Sequence, residues 1–290
     1  MSTAQPNILV PIDLSEQSLI ALSQSYNLAR LNNADITLLH VIEEDNSLFF
    51  FAKKSSDEQK KMEKQIKEKL NSIADEGAKL NKVRIHVMVS RGKIYEEIVA
   101  VAEKINAIFI IMGTNGSVGF KKFIGSNTLR IVRESKCPVI TIKGKTHRAG
   151  CKNIVLPLDL SRETKEKVNK AIEIAKDFNS DIRIVTIITT DDEFLVKKLN
   201  RQLNQVQDFV REKGVSCSAE VLKGNSVADE VVKYSKKIDA DLIMIMTQEE
   251  TEWTTLFIGS QAQQVINNSD VPVLSIRPSE KADKTVFTPY

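Results

Sequence analysis

The chain contains one sequence twice, and this restricts its fold more than any other feature. Residues 7–15 read NILVPIDLS and residues 153–161 read NIVLPLDLS, identical at six of nine positions. ADITLLHVI (34–42) matches SDIRIVTII (180–188) at the same offset of 146. Further on, FIGS (123–126) recurs at 257–260, and CPVITI (137–142) is answered by VPVLSI (271–276), both at an offset of 134. The smaller offset places about twelve extra residues in the middle of the first copy, near Asn46 to Lys61. Self-similarity at a fixed spacing marks a duplicated folding unit. A copy of about 145 residues is long enough to bury a core without metals or disulfides.

Each copy alternates short Ile/Leu/Val runs with helical patterns. In the first, the runs are Ile8–Ile12, Ile36–Ile42, Val83–Val89, Ala107–Met112 and Val139–Ile142. The helices between them are expected over Ser15–Leu31, Asp57–Leu80, Tyr95–Ile105 and Ser126–Glu134. The second copy repeats the order, with strands near 153–158, 181–188, 216–222, 240–246 and 271–276. Continuous apolar runs fit parallel strands covered on both faces. Regular strand–helix alternation gives βαβ units with right-handed crossovers. The expected fold is therefore α/β: two tandem, doubly wound, five-stranded parallel-sheet domains, at 1–144 and 151–278. The linker KGKTHRAGCK (143–152) joins them and a tail follows at 279–290.

Composition narrows the function classes. With 41 basic and 38 acidic residues the net charge is only +3, so no electrostatic field favours nucleic acid or an anionic membrane. Cys137, Cys151 and Cys217 are odd in number and form no CxxC pair, which argues against a disulfide framework or a zinc site and fits a reducing compartment. No signal peptide is readable at the N-terminus. The apolar run Ile238–Met246 is broken by Asp239 and Asp241 and falls well short of the roughly 20 residues that span a bilayer. A cytoplasmic location is expected.

In an open α/β sheet, ligands bind beyond the carboxyl ends of the strands, where the strand order reverses. Three segments of the first copy converge there: Pro11-Ile12-Asp13, His40-Val41 and the loop GTNGSVGFKKFIGS (113–126). Gly113, Gly116 and Gly119 let backbone amides approach an anion closely. Gly125-Ser126 then opens a helix, whose free N–H groups and positive dipole end suit a phosphate. The Ser126 hydroxyl can add a hydrogen bond or cap the helix, and Lys121 and Lys122 can add charge or simply be solvated. The competing reading is a plain turn followed by a helix start. The loop is neither a P-loop nor the dinucleotide fingerprint.

Nothing in the chain assembles a catalytic set. His40, His86 and His147 lack metal-ligand spacing. His40 is the histidine closest to a chemical role, with a structural role competing, and Asp13 can serve as a magnesium ligand, a base or an orienting group. The HxGH and SGGxDS strings of related nucleotide enzymes do not occur. No catalytic residue and no enzyme activity are expected.

With VPIDLS ending strand one, LLHVI ending strand two and the glycine loop after strand four, the chain resembles the universal stress protein family in its tandem form, over about residues 5–143 and 151–278. ATP-binding members carry G-x2-G-x9-G-[ST]; here Gly113, Gly116, Gly125 and Ser126 match, with eight residues in place of nine. The resemblance implies that Pro11, Asp13 and Val41 frame adenine and ribose. It implies that Met112, Gly113 and Gly116 line the ribose and phosphate path, and that Gly125, Ser126 and Asn127 hold the phosphates. The implied ligand is ATP, AMP or ADP, with or without Mg2+, in a stress-response role. Single-domain members commonly dimerise through strand five, so PVITI (138–142) and PVLSI (272–276) are expected to pair antiparallel as an internal pseudo-dimer, with a homodimer or a protein partner left open. Two other readings stay open: an interaction module that binds no nucleotide, and a slow ATPase.

The second copy keeps Asp159 but reads MTQEETEWTTLFIGS in the loop. Its first glycine pair becomes Met246/Glu249 or Thr247/Glu250, and Glu249, Glu250 and Glu252 set negative charge where phosphates belong, so it is expected not to bind nucleotide. The insert NSLFFFAKKSSDEQKKM (46–62) holds Phe49, Phe50 and Phe51. Three readings apply to it: a helical turn packed in the local core, a lid over the adenine, or a partner surface.

Overall fold

A computed structural model describes residues 5–43, 56–114, 125–144, 150–159, 164–189, 192–247 and 259–277. The first copy runs β1 (Asn7–Pro11), α1 (Glu16–Leu31), β2 (Asp35–Glu43), α2 (Ser56–Asn81), β3 (Ile85–Gly92), α3 (Ile94–Lys104), β4 (Ala107–Gly113), α4 (Ser126–Glu134) and β5 (Val139–Ile142). The second runs β6 (Asn153–Pro157), α5 (Thr164–Phe178), β7 (Asp181–Ile188), α6 (Glu193–Glu212), β8 (Cys217–Lys223), α7 (Val227–Lys237), β9 (Leu242–Met246), α8 (Ser260–Asn268) and β10 (Val273–Ile276).

All ten strands form one sheet in the order β3-β2-β1-β4-β5-β10-β9-β6-β7-β8. Every neighbouring pair is parallel except β5 and β10, which run antiparallel with Ile140 opposite Leu274. The fifth strands thus pair as their apolar sequences require, each covering the other's edge. The inner strands are buried on both faces: β1, β4, β5, β9 and β10 supply Ile8, Leu9, Ile110, Ile140, Ile243 and Leu274, all nearly inaccessible. Two apolar layers follow, one on each face of the sheet, and each draws residues from both copies. Across the junction the rings of Phe109 and Phe178 sit 6.1 Å apart.

The third strand differs from the expected Val83–Val89. It starts at Ile85 and continues to Gly92, because its ladder with β2 extends through Val41↔Ser90, Ile42↔Arg91 and Glu43↔Gly92. As an edge strand it is only half-buried, so it tolerates the polar Arg91, which pairs with Glu63 at 2.8 Å, although Ser90 and Arg91 ended the apolar run. The insert residues Phe49, Phe50 and Phe51, together with His147 in the linker, lie outside the described residues.

Burial pushes all three thiols up: Cys137 in direction, Cys151 to about 12 and Cys217 to about 11. Burial likewise lifts Tyr234, to about 12. A thiol of the unfolded chain ionises near pH 8.5. The folded state therefore holds these protons longer, and the stability they contribute is complete below that value and lost as pH climbs toward 11–12. The melting temperature should be level from pH 7 to about 8 and fall steadily above about 9, with a shallower fall in Cys151→Ala. Equal slopes in the two proteins would refute this assignment.

Among the described residues, no helix is long and apolar enough to cross a membrane.

Candidate ligand cleft of the first copy

The order of strands reverses between β1 and β4, and a cavity of about 250 Å³ opens above their carboxyl ends. Pro11, Ile12 and Asp13 enter it from the end of β1, Leu39, His40 and Val41 from β2, and Met112 and Gly113 from β4. The first turn of α4 adds Gly125, Ser126, Asn127 and Thr128. Of the nine residues expected at a ligand site, eight meet here. The ninth, Gly116, lies outside the described residues, as do Gly119, Lys121 and Lys122.

Backbone and side-chain ties shape this wall. The Ile12 N–H donates to the Leu39 carbonyl at 2.8 Å, and His40 Nδ1 donates to the Ile12 carbonyl at 2.6 Å. The second copy builds the same corner with Leu158 N–H on Val185 and the Thr186 hydroxyl on Leu158 O at 3.0 Å. His40 thus occupies a position that a threonine fills equally well, and its ring ties the ends of β1 and β2 together.

Asp13 Oδ1 accepts from the Ser15 backbone N–H at 2.9 Å and from the Ser15 hydroxyl. This is the local turn that short acidic side chains favour, and it holds Leu14 at φ +66°, a conformation uncommon for a branched side chain. Ser15 in turn caps α1, accepting from Ser18 N–H. The Asp13 carboxylate therefore shapes the entry to α1 at the mouth of the cleft.

Gly113 is required by close approach. A Cβ there would sit 2.5 Å from the backbone of Gln17 and 2.9 Å from the Ser18 nitrogen, so only glycine lets the first turn of α1 rest on the end of β4. Gly125 differs. It is exposed, at φ −59°, with nothing within 4 Å of an added Cβ. As the N-cap of α4 it provides no side-chain cap, so the first amides of that helix keep their hydrogen-bonding capacity and their positive dipole end.

The second copy differs at the same place. Gly113 pairs with Ile142 and Met246 with Ile276, which makes Met246, and not Thr247, the counterpart of Gly113. The N–H of Gly259, the N-cap of α8, reaches the Thr247 carbonyl at 3.4 Å, and Gly259 is buried. Gln261, the counterpart of Asn127, accepts from the Ala228 N–H of α7 at 3.3 Å. One backbone donor at the start of α8 and one at the start of α7 are thus engaged within the fold. Glu249, Glu250 and Glu252 lie outside the described residues.

Sequence reasoning did not single out Ser18, Ile94 and Ile98, which also line the cavity. Ile94 and Ile98 stand four apart on α3, a spacing indistinguishable from ordinary core packing. Among the described residues no group of three or more His, Cys, Asp or Glu side chains is placed to hold a metal.

Comparison with known proteins agrees with this architecture. The model of the universal stress protein family matches residues 6–143 and again 150–277. A universal stress protein of Methanocaldococcus jannaschii is 30% identical over 144 residues, covering 45% of this chain and 84% of its own. A second from the same organism is 31% identical over 160 residues, covering 50% of this chain and 99% of its own. Among solved structures, a universal stress protein from Archaeoglobus fulgidus superposes with a TM-score of 0.75 at 21% identity, over 94% of this chain and 97% of that one.

Proposed function

The chain belongs to the universal stress protein family, with two copies of the domain, and we propose that it is a cytoplasmic stress-response protein that binds one adenine nucleotide, ATP, AMP or ADP, in the first copy. The observation that supports this reading is the difference between the two copies. In the first, three strand ends and an uncapped helix N-terminus converge on an open cavity. In the second, Met246 stands in the place of Gly113, and Gly259 is buried with its N–H reaching the Thr247 carbonyl.

In this reading the base and ribose lie among Pro11, Asp13 and Val41, and the ribose–phosphate path passes Met112 and Gly113, continuing to Gly116. The phosphates meet the amides of Gly125, Ser126 and Asn127. Asp13 is the one carboxylate among the cavity residues, and Mg2+ is usually held by one or two carboxylates together with substrate phosphates. A magnesium ion would therefore come with the nucleotide, beside Asp13. The two copies act as each other's partner through β5 and β10, so neither edge needs a second chain to cover it.

Gly125→Asp tests the assignment cleanly. The site has room for a side chain, and aspartate is a favoured N-cap, so the fold should be unharmed. The new carboxylate occupies the helix amides and repels phosphate by about 1–4 kcal/mol, enough for a tenfold or greater loss of affinity. Native mass spectrometry of gently desalted protein should show one retained nucleotide per chain, absent in the variant, at unchanged melting temperature. Equal titration of labelled ATP by both proteins would overturn the proposal, as would a wild-type chain that neither retains nor binds nucleotide.

A further inference from the structure

Ser90 stands on β3 in register with Val41, one strand outward from a residue that lines the cleft. Register partners on adjacent parallel strands point to the same face. Two residues back, Met88 packs, as Val41 and Ile94 do, against the apolar layer on that face. The Ser90 hydroxyl is therefore set in an apolar wall, where its oxygen is buried and has no hydrogen-bond partner. An orphaned buried hydroxyl is costly to a fold. The second copy avoids that cost: Ile187 occupies the place of Val41, and its register partner is Leu222. The polar residue thus occurs in the copy with the open cleft, and an apolar one in the copy where Met246 replaces Gly113.

We infer that Ser90 is a specificity-determining residue that hydrogen-bonds the polar edge of the bound purine. The inference rests on the nucleotide reading given above. A planar base lying against Val41 and the isoleucines of α3 extends away from β1 toward β3. Neighbouring strands are about 4.8 Å apart, so the outer edge of the base arrives at Ser90. A serine hydroxyl can both donate and accept, which suits the adjacent amino and ring-nitrogen groups of adenine. The ligand supplies the partner that the protein lacks, and the fold carries the unpaired hydroxyl until it arrives.

The test compares wild type, Ser90→Ala and Ser90→Leu by calorimetric titration with ATP and with tripolyphosphate, which keeps the phosphates and has no base. Ser90→Ala should lose about three- to tenfold in ATP affinity, the effect of one net hydrogen bond, with tripolyphosphate affinity unchanged. Without ligand its melting temperature should rise by about 1–3 °C, because an unsatisfied buried group has been removed. Ser90→Leu, carrying the second copy's residue, should weaken ATP further. Unchanged ATP affinity in Ser90→Ala overturns the inference, and so does an equal loss for ATP and tripolyphosphate. A wild-type chain that binds tripolyphosphate as tightly as ATP overturns base recognition by Ser90 and leaves the phosphate seat standing. A wild-type chain that binds neither overturns both.

Discussion

Gly113→Ala should both destabilise the protein and abolish tight nucleotide binding. The added methyl would lie 2.5 Å from the Gln17 backbone, and a backbone segment in a hydrogen-bonded helical turn cannot step aside as a flexible side chain can. Overpacking of this kind costs about 1–3 kcal/mol, a fall in melting temperature on the order of 5 °C for a chain of this size. Relief comes by moving the first turn of α1, which carries Ser18 into the cleft wall and is tied through Ser15 to Asp13. Affinity for ATP should therefore drop at least tenfold, the equivalent of about 1.4 kcal/mol. Thermal melting and ATP titration on the same preparation check both parts. A variant with wild-type values in each would show that α1 does not bear on β4 at this point.

Leu274→Ala should have the largest effect on stability. Leu274 is fully buried opposite Ile140 at the antiparallel junction, and truncation of such a leucine costs about 2–5 kcal/mol. That cost should appear as a single cooperative transition displaced by on the order of 10 °C. One transition is expected because the apolar layers on both faces run through both copies and the Phe109–Phe178 contact crosses the same boundary. Calorimetry that resolves two transitions, of which only one moves, would show that the copies melt independently.

Much of this architecture could be read from the residues. The duplicated NILVPIDLS and NIVLPLDLS segments located β1 and β6, and the apolar runs located the inner strands, because a strand covered on both faces admits few polar side chains, such as Thr141 and Ser275. The same logic ended β3 too soon. An edge strand contacts solvent along one side, so Arg91 can continue the ladder while breaking the apolar pattern, and Ser90 breaks it with a buried hydroxyl. At the cleft, Gly113 was legible because the backbone of α1 approaches too closely for any side chain there. Ile94 and Ile98 were not, since a cavity wall and a core contact ask for the same side chain. The clamp of Gln261 on Ala228 depends on the distance between two helix starts, which no local spacing encodes. The charged loop of the second copy led only to the expectation that it holds no phosphate. Register with β10 then decided which residue replaces Gly113.

The join between β5 and β10 has a consequence for how such a molecule responds to dilution. Strands of four residues each lie at its centre, and two separate chains meeting there would part as their concentration fell. Carried on one polypeptide, the same contact sees a fixed local concentration set by the connecting segment, whatever the abundance of the protein in the cell. The open cleft therefore keeps its supporting neighbour even at trace expression. The place of the second copy beside the first likewise no longer depends on mass action.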